Sequence, residues 1–312
     1  MTGLVADPFC RQHDPGAGDP ESPARPDAML DGFKQAGLSG LLVPIGSREA
    51  SREDLHVCHA SDYLSLAEHE ILDGCSELGT GDTHVCEKSW PVALRAAGGV
   101  LSAVDAVMTG RVRNAFCVVH PHGGHATSNR GVGFCILNNI AIAARYAQRW
   151  HGAGRILIVD WDAHHGNGME DIFFEDGLVF FFSTHQAPWY PETGARNETG
   201  EGDGMGATLN CPLPGGSGGN EVLCAFEEQL LPAAAAFRSD LLRVSAGFDL
   251  RAGDPLGDFT LTDGDFAELT RLVPGIARRQ AADRVVTVLD GGYNVTGLAT
   301  ATSAHVRTLM HE

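Results

Sequence analysis

Basic residues are scarce in this sequence, which carries 22 Lys and Arg against 40 Asp and Glu and has a formal net charge of −18. Because a nucleic-acid-binding surface needs a basic patch or stripe, we predict no nucleic-acid partner. The acidity is compatible with a cationic small molecule or a basic peptide, since a negative field steers cations. Its simplest interpretation is solubility, because the acidic residues are spread along the chain.

Paired cysteine motifs are absent as well. The eight cysteines are scattered and no CxxC pair occurs, which indicates reduced residues rather than a disulfide framework. The first residues, MTGLVADPFCRQHDPG, lack the basic start and apolar core of a signal peptide. We predict that no apolar run reaches membrane-spanning length. We therefore expect a cytoplasmic protein without a membrane partner.

Internal repeats and low-complexity linkers are also lacking, so we predict a single domain over residues 1–312. A chain of this length can bury a hydrophobic core without disulfide support. Two segments rich in glycine and proline, 14–29 and 211–221, are predicted to be loops within that domain.

Four short apolar runs share one design, because a polar cluster follows each of them. The runs are AFCVV (115–119) before HPHGGHA, ILIV (156–159) before DWDAHHGNG, the apolar part of LLRVSAGFD (241–249), and RVVTVL (284–289) before DGGYN. Such runs are typical of buried parallel strands.

Helical periodicity between these runs completes the pattern. Segments 138–150 and 220–237 are apolar at helical spacing. Alternating strands and helices predict an α/β fold, a doubly wound parallel sheet with helices on both faces. Ligands bind such sheets at the carboxyl ends of the strands, so all four polar clusters are expected at one edge.

The polar clusters contain the elements of a metal site. Asp162 and His164 form a D-x-H pair just beyond a strand, and carboxylate with imidazole is a metal-ligand set. Asp249, after another strand, is the best candidate for the third ligand, and three protein ligands leave a position open for water. A lone D-x-H pair is more often a hydrogen-bond cluster, but the three further strand-end clusters favour the metal site.

Three further residues fit roles in catalysis by a metal-bound water. His125 is a candidate general base, and Asn167 could hold its ring and fix the tautomer. Tyr293, after two glycines, could direct its hydroxyl toward a developing oxyanion. Taken singly, His125 and Tyr293 are more often a satisfied polar residue and a packing residue.

Several long motifs resemble the histone deacetylase superfamily, most of all its bacterial class II-like amidohydrolase and acetylpolyamine amidohydrolase members. The resemblance implies a single-domain arginase/deacetylase fold with the active site at the carboxyl ends of the strands. It covers nearly the whole chain. The motifs are GFCILNNIAIAARYA (133–147), ILIVDWDAHHGNGMEDIF (156–173), STHQAPWYPETGA (183–195), LNCPLPGGSG (209–218), VSAGFDLRAGDPLG (244–257) and DGGYN (290–294).

The resemblance also implies a function and a cofactor. It implies hydrolysis of an acyl amide on a small acylated amine or an acyl-lysine peptide, with catalytic Zn²⁺ on Asp162, His164 and Asp249. His125 corresponds to the family's general base and acid, and Tyr293 to its carbonyl-polarising tyrosine. The aromatic walls of the substrate tunnel correspond to Phe134 and Tyr190, with Trp189 beside them. A structural K⁺ site is implied at Asp160, Asp162, His164 and Ser183.

The sequence departs from the family pattern at the usual histidine pair, P-x-G-H-H-A. Gly124 stands where the first histidine is expected, so Asp160 loses its usual imidazole partner. The resemblance implies that the hydrogen bond from such a histidine to zinc-bound water is missing unless His122 or solvent substitutes. We expect reduced rather than absent activity, because His125 remains. If the site only lacks that partner, Gly124→His is expected to raise the rate.

Two other positions bear on the substrate. Glu192 stands where glycine is more usual, and an acidic rim there would favour a cationic substrate, although a solvated loop charge is the simpler interpretation. Leu256 occupies the place where polyamine-selective relatives carry an acidic residue, which favours the acyl-lysine type.

Two alternatives stay open. A binuclear manganese ureohydrolase of the same fold would use D-A-H-x-D, but Gly166 stands where the second aspartate is needed. The second alternative is a descendant of such an enzyme that binds ligands but does not catalyse, because Gly124 has disabled its site.

Overall fold

An eight-stranded sheet, parallel throughout, forms the centre of the computed structural model, which describes residues 1–312. Its spatial order is β2-β1-β3-β8-β7-β4-β5-β6. This is the α/β architecture that the sequence predicts. The strands are β1 (Thr2–Ala6), β2 (Val43–Ile45), β3 (Asn114–Val118), β4 (Ile156–Asp160), β5 (Val179–Gln186), β6 (Thr208–Leu213), β7 (Leu241–Ala246) and β8 (Val285–Leu289).

Ten helices cover both faces of the sheet, and each face has its own hydrophobic core. Helices α2 to α6 contribute to one core, and helices α1 and α7 to α10 contribute to the other. A π-helical segment, Phe226–Leu230, joins α7 to α8. The helices are α1 (Ala24–Gln35), α2 (Arg52–Leu55), α3 (Ser61–Leu72), α4 (Ser89–Met108), α5 (Asn139–His151), α6 (Asn167–Phe173), α7 (Gly219–Ala225), α8 (Leu231–Phe237), α9 (Asp263–Gln280) and α10 (Val295–His311).

Both predicted loops are wrong in part. Helix α1 begins at Ala24, inside 14–29, because Pro23 and Pro26 lie before and within its first turn, where no intrahelical N–H bond is lost. Strand β6 enters 211–221 despite Pro212, since β6 is an edge strand and can lack one donor.

Helix α4 contradicts the expectation that no segment is long and apolar enough to span a membrane. Its 20 residues, Ser89–Met108, meet that criterion by length and composition. However, 67% of its most apolar window is buried inside the protein, as in the core helix of a folded domain.

The central strands explain how the polar clusters meet. Strands β3, β8, β7 and β4 are consecutive neighbours in the sheet, and each of them is followed by one of the four clusters. Because all of them are parallel, their carboxyl ends lie at the same edge. The sheet therefore brings residues far apart in sequence into one site.

Candidate active site

Three metal-ligand side chains converge beyond β4 and β7. One donor atom from each of Asp162, His164 and Asp249 lies within 4.8 Å of the others, and all three residues are buried. His164 Nδ1 lies 3.0 Å from both Asp162 Oδ1 and Asp249 Oδ2. The structure thus brings together the three residues that the sequence suggests as ligands.

The chemistry of this donor set fits a divalent cation. Burial and the neighbouring Asp249 raise the pKa of Asp162 to about 6. Burial disfavours a charged His164, yet its bonds to Asp162 and Asp249 raise the pKa of that imidazole to about 10. Two crowded carboxylates therefore favour a cation between them, and two carboxylate oxygens with one imidazole form a zinc-type ligand set.

Backbone groups fix the two carboxylates. The Gly291 N–H donates to Asp162 Oδ2 at 2.7 Å, and the Ala163 N–H donates to Asp249 Oδ1 at 2.8 Å. A Cβ at Gly291 would lie closer than 3.0 Å to both carboxylates, a separation that real Cβ atoms essentially never show. Only glycine fits there, because the backbone passes so close to the ligands.

His125 is held in one tautomer beside these ligands. Its Nδ1–H donates to Asn167 Oδ1 at 2.7 Å, which leaves Nε2 free to accept a proton. Burial lowers the pKa of His125 to about 4, although Asp290 opposes the shift. The ring lies 6.1 Å from that of His164, centroid to centroid. The residue is therefore neutral near pH 7, as a general base must be.

Tyr293 lies on the loop after β8, which a buried arginine anchors. Arg25 Nε donates to the carbonyl of Gly292 at 2.8 Å, and its guanidinium lies 4.9 Å from the Tyr293 ring centroid. Arg25 is itself fully buried and paired with Glu21. This pair is not predicted from the sequence, because its only local signal is two opposite charges four residues apart.

An apolar pocket of about 290 Å³ leads to these residues. The predicted tunnel residues Phe134, Trp189, Tyr190 and Leu256 all line it. Phe134 adopts a φ of 65°, a strained left-handed conformation that aims its ring into the pocket wall. The other lining residues are Asp82, His125, Gly133, His164 and Tyr293.

One predicted rim residue lies outside the pocket, and one lining residue was missed. Glu192 is exposed and is not part of the lining, so the structure supports the solvated-charge interpretation. Its φ of 66° explains why glycine would suit that position. Asp82, which accepts a hydrogen bond from the Gly133 N–H at 2.7 Å, contributes the acidic group of the lining instead.

The departure at Gly124 has a structural counterpart. A Cβ on Gly124 would overlap the Asp290 carboxylate. Asp160, the usual partner of the missing histidine, bonds instead to Ser183 Oγ at 3.1 Å and to the Gly166 N–H at 3.1 Å. Burial, with Asp162 and Asp290 nearby, raises the pKa of Asp160 well above its usual value.

The four residues of the implied monovalent-cation site lie close together. Asp160 and Ser183 are register partners on β4 and β5, and Asp162 and His164 follow directly after β4. Potassium binding stays a prediction.

The binuclear alternative gains no support. The chain holds one cluster of three or more metal-ligand side chains, and it has three members. A Cβ at Gly166 would lie closer than 3.0 Å to Met169 Cε and Asp160 Oδ2, so an aspartate there would require both side chains to shift.

The fold and the site together define an α/β protein with a buried Asp-His-Asp ligand set beneath an apolar pocket. A family model described as the histone deacetylase domain matches residues 19–309. The chain belongs to the histone deacetylase family.

Relatives and a solved structure agree with this assignment. The chain is 37% identical over 309 residues to Histone deacetylase 10, chloroplastic, of Oryza sativa, covering 94% of this chain and 70% of that protein. It is 36% identical over 299 residues to a probable deacetylase of Archaeoglobus fulgidus, covering 95% of this chain and 82% of that protein. It is 39% identical over 302 residues to Polyamine deacetylase HDAC10 of Homo sapiens, covering 93% of this chain but 44% of that protein. The crystal structure of the HDA15 HD domain matches with a TM-score of 0.94 and 34% identity, covering 100% of this chain and 88% of that one.

Proposed function

We propose that this protein is a zinc-dependent amide hydrolase that removes an acyl group, typically acetyl, from an acylated amine. The convergence of Asp162, His164 and Asp249 beside the His125–Asn167 pair carries the proposal. Family membership supports hydrolysis of this class.

The ligand set and His125 divide the work on water. Zinc held by Asp162, His164 and Asp249 would polarise the substrate carbonyl and lower the pKa of water. His125 Nε2 takes the proton of the attacking water, because its Nδ1–H is committed to Asn167. The same nitrogen then returns the proton to the departing amine.

Tyr293 supplies the hydrogen-bond donor. Its hydroxyl donates to the oxyanion that develops on the substrate carbonyl, and such a donor typically contributes about 10²- to 10³-fold in rate. Burial, with Asp162 and Asp249 nearby, raises the pKa of Tyr293 well above its usual value even though Arg25 opposes the shift. The phenol therefore keeps its proton at neutral pH.

The pocket supports an acyl-lysine type of substrate. Phe134, Tyr190 and Leu256 give it apolar walls suited to an aliphatic chain. Leu256 offers no charge to a cationic amine. The second candidate substrate is an acetylated polyamine. Asp82 and the net charge of −18 favour it, and the relative named Polyamine deacetylase HDAC10 is 39% identical to this chain.

Metal content and turnover test the proposal. Purified protein should hold one zinc per chain and hydrolyse an acetyl-lysine peptide, lose turnover on chelation, and regain it with one equivalent of zinc. Asp249→Ala should abolish both properties, while Asp171→Ala, on the exposed face of α6, should change neither. Full activity after complete metal removal would refute the zinc mechanism. Zinc binding without any turnover would favour the ligand-binding descendant.

A substrate panel separates the two substrate classes. Acetyl-lysine peptides should exceed acetylated polyamines in kcat/KM, and the reverse order would favour the polyamine candidate.

We also propose a reducing compartment such as the cytoplasm, a proposal supported by eight cysteines that form no disulfide.

A further inference from the structure

His122, two residues before Gly124, lies directly behind the pocket. Its side chain is 1% exposed, and its ring lies 6.1 Å from the ring of Phe134 and 6.4 Å from the ring of Tyr293. The Nε2 atom is 3.1 Å from the Tyr293 hydroxyl. No other side chain forms a hydrogen bond with that hydroxyl in the structure.

The opposite edge of the ring meets Asp290. His122 Nδ1 lies 2.9 Å from Asp290 Oδ1, and the other carboxylate oxygen accepts a bond from Ser245 Oγ. Nδ1 also lies 3.1 Å from Cys135 Sγ, and the ion-pair distance to a carboxylate, which can only accept, favours a proton on Nδ1. The position of Asp290 depends on Gly124, since a Cβ there would overlap the carboxylate.

We propose, on the basis of the function proposed above, that His122 is a positioning residue that donates a hydrogen bond from Nε2 to the Tyr293 hydroxyl oxygen. This bond fills the acceptor site of the phenol and directs its proton into the pocket, toward the substrate carbonyl. Gly124, His122 and Asp290 thus form one unit that replaces the missing first histidine.

The groups around His122 favour the second ring proton that this role requires. Burial disfavours the charge, but Cys135, Glu21 and Asp290 together raise the pKa of His122 well above its usual value. Glu21 Oε2 lies 4.0 Å from Nε2, and Cys135 Sγ lies 3.1 Å from Nδ1. With both nitrogens protonated, Nε2 can donate to Tyr293 rather than accept from it.

Tyrosine NMR tests the hydrogen bond without any turnover. The chain contains four tyrosines, so labelling with ¹³Cζ-tyrosine gives four resonances, and Tyr293→Phe assigns the one of interest. His122→Phe should shift that resonance, and His122→Gln, which keeps an N–H donor, should restore part of the shift. His305→Phe removes an equally buried imidazole whose bonding partners, Thr270 and Thr287, lie outside the pocket, and it should leave the resonance unchanged.

Kinetics then test what the bond does. His122→Phe should lower kcat about 10- to 100-fold, the effect of one charge-assisted hydrogen bond, while KM stays nearly constant because the bond acts in the transition state. His122→Gln should recover part of the loss. If His122→Phe does not fold, Asp290→Asn should produce the same shift and a smaller loss of kcat.

The outcomes separate this proposal from the enzymatic one. An unchanged Tyr293 resonance in folded His122→Phe overturns the positioning role whether or not the wild type is active. An active wild type whose kcat survives His122→Phe also overturns it, and zinc hydrolysis would still stand. An inactive wild type whose Tyr293 resonance responds would retain the hydrogen bond and refute the proposed function alone.

Discussion

Restoring the usual histidine at position 124 should damage this protein, contrary to the expectation from sequence alone. A Cβ at Gly124 would lie closer than 3.0 Å to Asp290 Oδ2. Asp290 cannot swing away freely, because His122 holds one of its oxygens and Ser245 the other. Overpacking a buried site of this kind costs about 1–3 kcal/mol. We therefore expect Gly124→His to lower both the free energy of unfolding and the turnover.

A double-mutant cycle measures whether Asp290 is the cause. Gly124→His, Asp290→Ala and the double variant are compared by denaturant unfolding. Relief of the clash should make the double variant more stable than the sum of the single changes predicts, with a coupling of about 0.5–3 kcal/mol. Gly40→His is the matched control, since nothing lies within 4 Å of a Cβ at that exposed glycine. A Gly124→His protein as stable as the wild type, with no coupling or with a raised rate, would refute the reasoning.

Three further predictions concern other positions. Arg243 on β7 is fully buried, and no protein group forms a hydrogen bond with any of its three guanidinium nitrogens. Arg243→Leu should therefore raise the free energy of unfolding by at least about 1 kcal/mol. A lower free energy of unfolding in a denaturant titration would contradict this prediction. Burial lowers the pKa of His305 to about 3, so the unfolded chain takes up a proton that the folded chain cannot bind as pH falls below about 6.5. At pH 5 the free energy of unfolding of the wild type should therefore fall by about 2 kcal/mol more than that of His305→Gln. Parallel curves of stability against pH for the two proteins would contradict this prediction. Leu256→Glu should shift kcat/KM toward acetylated polyamines by about tenfold, equivalent to about 1.4 kcal/mol, and an unchanged ratio would remove Leu256 from substrate selection.

The convergence of Asp162, His164 and Asp249 could be predicted because it follows from local patterns. Asp162 and His164 directly follow an apolar run, and Asp249 closes another, so the rule that sites lie at the carboxyl ends of parallel strands was sufficient to group them. The structure brings these three donors within 4.8 Å of one another. The same rule grouped His125 and Tyr293 with them, since their strands are neighbours in the sheet.

What could not be predicted depends on contacts between distant segments. Arg25 bonds the backbone of Gly292, 267 residues further along the chain, and no periodicity relates the two. Asp82 reaches the pocket from a loop without a strand-end signal. Glu192, by contrast, belongs to a motif beside the tunnel residues, which suggests a rim position, but its side chain is exposed outside the pocket.

The absent histidine shows why a single position is a poor guide to the state of a site. Position 124 alone suggests a damaged enzyme, because Asp160 has no imidazole partner. The structure shows that the small residue leaves room for Asp290, which in turn holds His122 against Tyr293. A buried imidazole still contacts the reacting part of the pocket, but it reaches the tyrosine rather than Asp160. Because Gly124 leaves room for Asp290 and Asp290 contacts His122, changing any one of these three residues should be harmful even when the change restores the usual family residue.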